Sequence, residues 1–114
     1  MRTSPSSQPQ RAEVWLIRIP GERKQRPCVI VSADWLNRFA RDVVVVPLTS
    51  VARRAFPTRV ELPKAEGGLK VRSWAKCDQP TTIEKGHLGK VFLGRLSDAK
   101  IREIEQAIRR TLSL

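Results

Sequence analysis

The stretch RPCVIVSADWLNRFARDVVVVPLTS, residues 26–50, decides the fold. CVIVS and DVVVVPLTS are apolar runs of strand length, rich in β-branched residues and without polar residues at alternate positions. A half-exposed strand alternates, so continuous runs of this kind predict strands buried on both faces. Between them, ADWLNRFA places Trp35, Leu36 and Phe39 at offsets that share one helical face, with Asp34 near the start, which predicts a short helix. Pro47 cannot donate to a ladder and is expected to mark the end of the valine strand.

Upstream, EVWLIRI from Glu13 to Pro20-Gly21 predicts a first strand, followed by the charged loop GERKQRP. Downstream, TRVEL alternates Arg59 and Glu61 with Val60 and Leu62, EGGLK is a turn, and SWAKCDQPTTI supplies one or two strands interrupted at Pro80. A last short strand is expected around Val91 to Leu93. The chain ends in a helix, with Ser97 and Asp98 at the N-cap, Ile101, Ile104, Ile108 and Leu112 at helical spacing, and Arg109 and Arg110 in the last turn. Lys100 occupies the position where a capping box needs Glu or Gln. Residues 1–11 are polar and aperiodic and are expected to be a disordered tail before one domain, 12–114. The fold class is therefore mostly β (α+β): a small barrel of five to seven strands with a short internal helix and a C-terminal helix.

Charge points to the partner. The 114 residues carry 22 Lys and Arg against 11 Asp and Glu, a net +11, with cations in excess in every quarter of the chain. An excess spread through a folded body is the footprint of a polyanion binder, nucleic acid first. No apolar stretch is long enough to span a membrane and the start has no export signal, so a cytoplasmic protein is expected. Cys28 and Cys77 lack the spacing of a metal knuckle and read as buried small hydrophobes. The single histidine, His87, sits in a turn, and one imidazole cannot serve a two-histidine ribonuclease. Scattered carboxylates give no two-metal cluster, and Gly67-Gly68 lacks the Lys-Ser/Thr of a phosphate loop, so neither a metal nor another cofactor is expected.

Arg26 precedes Pro27, whose fixed φ stiffens the strand entry, and Thr49 and Ser50 follow Pro47 at a strand end, where hydroxyls reach phosphate oxygens. Taken singly, each is structural more often than not, since Arg before Pro and Thr at a strand end are common. Their order is more telling: EVWLI, RPCVIVSAD, VVVVPLTS, PTRVEL, CDQPTTI and HLGKVFLGRLSDAKIREIEQAIRRTL, from about residue 11 to the end, resemble the MazF/PemK family of toxin endoribonucleases.

The resemblance implies a compact SH3-like barrel related to the CcdB toxin, a homodimer, a cognate acidic antitoxin, and metal-independent, sequence-selective cleavage of single-stranded RNA by attack of the ribose 2′-hydroxyl. It implies catalysis by Arg26 of the Arg-Pro motif and Thr49 of the Pro-x-Thr motif, with Asp78 and Gln79 as the Asp-Gln pair. A guanidinium meets the need for a cation on the non-bridging oxygens, whereas a threonine hydroxyl is too weak a base and suits hydrogen bonding. The proton acceptor stays open. Glu22 is a candidate base if its loop folds back, the alternative being a solvated carboxylate, and Ser50 is a possible support. Arg23, Lys24, Arg53, Arg54 and Lys70 are candidate RNA contacts in loops. The link IPGERKQRP is shorter and more basic than the family's usual Gly-Ser-Glu-Gln-like run, which bears on RNA sequence preference. The competing class is a non-catalytic CcdB-like toxin or nucleic-acid-binding barrel, which does not depend on the Arg-Pro and Pro-x-Thr pair.

Overall fold

The computed structural model describes residues 8–52 and 56–114, apart from the side chain of Lys90; Arg53 and Arg54 lie outside the described residues. Among the described residues seven strands run β1 (Glu13–Ile17), β2 (Arg26–Ile30), β3 (Asp42–Thr49), β4 (Arg59–Leu62), β5 (Ser73–Lys76), β6 (Thr81–Glu84) and β7 (Leu88–Arg95). Helix α1 (Asp34–Phe39) joins β2 to β3, and α2 (Asp98–Leu112) ends the chain. All pairings are antiparallel, in the order β4-β5-β3-β2-β1-β7, with β6 also on β3. This is the expected mostly-β class, a curled sheet with a terminal helix.

The unbroken apolar runs are explained by two cores. Val14, Val29 and Val46 join Leu48, Leu62, Ile101 and Ile104 in a core shared with α2. Their chain neighbours Ile17, Cys28, Ile30, Val43 and Val45 pack on the opposite face with Ile83. β1 to β3 are thus covered on both sides, which removes the reason for alternation.

Pro47 does not end its strand: β3 continues to Thr49, and Pro47 pairs with Cys28. Val44 directs both its N–H and its C=O toward the β2 side. By alternation the Pro47 nitrogen faces the other edge, between the end of β6 pairing at Val45 and the start of β5 pairing at Leu48. The missing donor falls where no acceptor stands. β7 is likewise longer than expected, eight residues with irregular register against β1.

The apolar face expected on α1 is reversed. Trp35 and Phe39 are 69% and 78% exposed, and the residue fully buried is Asn37. Its side-chain amide donates to the Ser32 carbonyl (2.9 Å) and its oxygen accepts from the Ser32 hydroxyl. In a helix of six residues these bonds orient the element more strongly than a stripe can. In α2, Ile101, Ile104 and Ala107 are buried while Leu112 is exposed. Ser97 caps it by accepting from Lys100 N–H (3.3 Å), and Glu66 supplies the carboxylate a capping box would have, accepting from Ser97 N–H at 2.6 Å.

Residues 8–11, expected in the tail, are held to the domain. Gln10 N–H donates to Glu13, Arg11 N–H to Asp34, and the Arg11 guanidinium pairs with Glu105. The turn Glu66–Gly68 closes the curl against β7. A side chain at Gly68 (φ +78°) would put its Cβ 2.0 Å from the Leu93 carbonyl oxygen, so glycine here permits backbone approach and has no phosphate-binding part.

Candidate active site

The β2–β3 register builds the site. Val29 stands opposite Val46 and Cys28 opposite Pro47, where the β2–β3 pairing ends; beyond it Arg26 begins β2 and Thr49 ends β3, both at the same end of the strand pair. The Arg-Pro and Pro-x-Thr segments, more than twenty residues apart in sequence, thus reach one end of the β2–β3 pair, where Arg26 and Thr49 line one cleft. Pro27 behind Arg26 is paired with Leu16 of β1, which fixes the strand that carries the guanidinium.

Arg26, Thr49 and Ser50 line a cleft of about 430 Å³ with Lys24, Gln25 and Lys70. Leu16, Leu48, Leu69, Val91 and Leu93 contribute apolar wall, brought from β1, β3, β7 and the segment before β5. Val71 and Val91 also line it and remain 55% and 43% exposed. A cationic lip over an apolar floor suits a nucleotide, with phosphate at the lip and base within.

Two polar details set what the groups can do. Thr49 Oγ1 accepts from Val51 N–H (3.1 Å), which leaves its own O–H free to donate into the cleft. Glu22 folds back, as the base reading required, and its Oε1 lies 2.9 Å from Arg26 Nε. The contact is a charge pair without hydrogen-bond alignment, since buried Nε has no hydrogen-bonded partner among the described residues. Both side chains are about one-third exposed, so the pair is weak enough for an arriving phosphate to displace.

Other candidates lie elsewhere. Asp78 and Gln79 are exposed in the turn between β5 and β6 and do not line the cleft. Arg23 is exposed on the loop before β2, outside the lining, and His87 is exposed in the turn Lys85–His87. Gln25 and Ser73 were not singled out from sequence although both line the cleft; neither has a motif signal, and their place comes from the curl of the sheet. Among the described residues no three His, Cys, Asp or Glu side chains come together as a metal-ligand set. No helix among them is long and apolar enough to cross a membrane. Both cysteines are buried free thiols, and burial pushes each up to about 12, for Cys28 against the lowering effect of nearby Arg26.

Residues 10–112 match the model of the PemK-like, MazF-like toxin of type II toxin-antitoxin systems. The chain belongs to the PemK/MazF family. It is 32% identical over 115 residues to endoribonuclease MazF9 of Mycobacterium tuberculosis, covering 92% of this chain and 97% of that protein. It is 31% identical to endoribonuclease PemK of Escherichia coli over 100 residues, covering 83% and 75%. Among solved structures, a mycobacterial endoribonuclease in complex with its cognate antitoxin superposes with a TM-score of 0.80 at 30% identity, covering 93% of this chain and 96% of that one. In this PemK/MazF chain the paired motifs therefore sit on a framework common to proteins named for RNA cleavage.

Proposed function

We infer that the chain is an endoribonuclease toxin that cleaves single-stranded RNA without a metal ion and is held inactive by a cognate antitoxin. The observation that carries this reading is the cleft that Arg26 and Thr49 line together over apolar walls, with Glu22 against the guanidinium. The 2′-oxygen attacks the adjacent phosphorus and the bond to the 5′-oxygen breaks, the departing oxygen taking a proton from water, which leaves a 2′,3′-cyclic phosphate and a 5′-hydroxyl. Arg26 neutralises the non-bridging oxygens as charge builds there, and Thr49 donates to one of them. Glu22, released from Arg26 by the phosphate, takes the 2′-proton; it is the carboxylate in contact with the catalytic cation. The relatives named as endoribonucleases, and the one solved with its antitoxin, support the activity and the partner.

A homodimer accords with the apolar side chains left exposed, Trp35 and Phe39 on α1 and Leu112 and Leu114 at the end of α2. The +11 charge favours an acidic antitoxin segment that competes with RNA for the lip cations. The test mixes purified protein with a single-stranded RNA and its DNA counterpart in EDTA. RNA is expected to be cut and DNA left whole. Loss of cutting in EDTA, or equal cutting of DNA, overturns the mechanism. Sedimentation showing only monomer at micromolar concentration overturns the dimer, and a bound antitoxin that leaves cleavage unaltered overturns competition.

A further inference from the structure

A second groove, of about 640 Å³, runs between edge strand β4 and helix α2. Arg59, Arg102 and Arg110 line it, together with Glu61 and Glu103. Both carboxylates are already engaged: Glu61 pairs with Arg72 at 2.6 Å, and Glu103 pairs with Lys100 at 3.0 Å. The Arg72 hydrogen bond also holds the Glu61 carboxyl below its ordinary range, so it remains an anion committed to that partner. The three arginines are left without a carboxylate partner among the described residues. Arg59 Nη1 is buried with no hydrogen-bonded acceptor, and Arg110 donates only to the Pro57 carbonyl, at 2.9 Å. A buried donor without an acceptor is unfavourable, and guanidiniums sharing a groove repel one another; an oxyanion relieves both.

The anion's identity follows from what else the groove contains. An acidic peptide that orders on binding needs apolar anchors to offset its lost entropy. Among the described residues the exposed large apolar side chains all lie outside the groove, and Val60, which lines it, is 5% exposed. A phosphodiester chain needs no such anchors, because its affinity comes from charge. Position agrees. Along the β4–β5 pair, Leu62 stands opposite Ser73 of the catalytic cleft, and Arg59 stands opposite Lys76. Three residues at ~3.3 Å each separate them, so the groove starts roughly 10 Å further along the sheet.

We propose that the β4–α2 groove is a second RNA site, in which Arg59, Arg102 and Arg110 hold backbone phosphates of substrate flanking the cut. The proposal rests on the endoribonuclease reading and adds a preference for RNA long enough to occupy both sites. Bound there, flanking RNA lowers KM without touching the bond that breaks.

The cut site is first mapped in a long transcript, and an RNA of about six nucleotides centred on it is made as a substrate for the cleft alone, near the lower end of single-strand site sizes. Wild type and the Arg59→Gln/Arg102→Gln/Arg110→Gln variant are compared on both RNAs. The variant is expected to raise KM for the transcript roughly ten-fold at ~0.1 M salt, with kcat and short-RNA cleavage unchanged, and to flatten the salt slope by ~0.7 per lost phosphate contact. If the triple variant melts early, Arg102→Gln/Arg110→Gln replaces it, since both side chains are exposed. Equal kinetics of wild type and variant on both RNAs overturn the groove proposal while leaving the activity standing; a wild type that cuts neither RNA overturns the activity itself. A variant that loses affinity for the cognate antitoxin and keeps its transcript KM assigns the groove to an acidic peptide and overturns the RNA proposal.

Discussion

The two ends of the β2–β3 pair carry polar groups of opposite fates. At one end Arg26 and Thr49 line one cleft, and the Thr49 hydroxyl is left free to donate into it. At the other, Ser32, Asn37 and Val44 close on themselves: Val44 N–H donates to Ser32 Oγ at 3.0 Å, the Ser32 hydroxyl donates to Asn37, and the Asn37 amide returns to the Ser32 carbonyl. Asn37 is fully buried. Polar groups around one strand pair thus divide into a set satisfied within the fold and an open set with capacity left for a ligand. Substitutions at the first end should cost rate, and at the second end stability.

The largest effect is expected for Arg26→Ala, a loss of ~10²-fold or more in kcat/KM with the melting temperature close to wild type, as when a preorganised charge stabiliser is removed. Arg26→Lys should not restore activity, because a point charge lacks the planar fork. Cleavage at the wild-type rate by Arg26→Ala would remove Arg26 from the mechanism and collapse the contrast.

Asn37→Ala is the matching change at the closed end. It leaves the Ser32 carbonyl and hydroxyl short of partners, at a cost of about 2–3 kcal/mol in unfolding free energy. The rate per folded molecule should hold. A urea titration and an active-site-normalised assay separate the two, and a variant that is stable but inactive would mean that the ends are coupled.

Thr49→Val sharpens the catalytic side, since it keeps the β-branched shape the strand favours and removes only the hydroxyl. A rate loss of roughly 10-fold is expected, in line with about 1.5 kcal/mol for one hydrogen bond to a charged group. Thr49→Ser should retain most of the activity. If Val and Ser variants are equally active, the hydroxyl does not hold the phosphate.

The comparison also explains what was legible in the sequence. The strand runs and the terminal helix were legible because each rests on local chemistry, β-branched runs and a serine cap, whereas Arg26 and Thr49 were singled out by the order of motif segments that carries the family resemblance. Their meeting in one cleft was not, since it depends on how β2 pairs with β3, which no residue of either strand states alone. The cleft floor was hidden for a similar reason: Leu16, Leu69 and Val91 are brought together by the curl of the sheet. The outward turn of Trp35 and Phe39 was hidden because a hydrogen-bonded asparagine outweighs spacing in a helix under two turns long. The sequence placed Arg59 on an alternating strand and Arg110 in the last helical turn, but that these two and Arg102 share a groove without a carboxylate partner among the described residues follows only from the folded structure.

Cys28 lies between the two ends, on β2 two residues from Arg26, and gives the smallest and most pH-specific effect. A thiol near a guanidinium is a candidate for activation, yet here burial outweighs the charge and the folded thiol sits at about 12 against an ordinary 9.0; Cys77 is raised to about 12 in the same way. Between those values the unfolded chain has lost the proton and the folded chain has kept it, so the unfolded state binds fewer protons. Stability is therefore unaffected below about pH 9 and falls as pH rises from there toward 12. At pH 10 each thiol should cost about 1 kcal/mol relative to pH 8. Lysines also titrate at high pH, so the measurement is the difference between wild type and Cys28→Ala/Cys77→Ala, whose stability should decline less over the same interval. In native protein at pH 8 neither thiol should react with iodoacetamide, while both should do so in urea. Rapid native labelling of Cys28 would show that Arg26 reaches past the strand to its neighbour, and that the open end of the ladder extends further into the sheet than the Arg26–Thr49 pair.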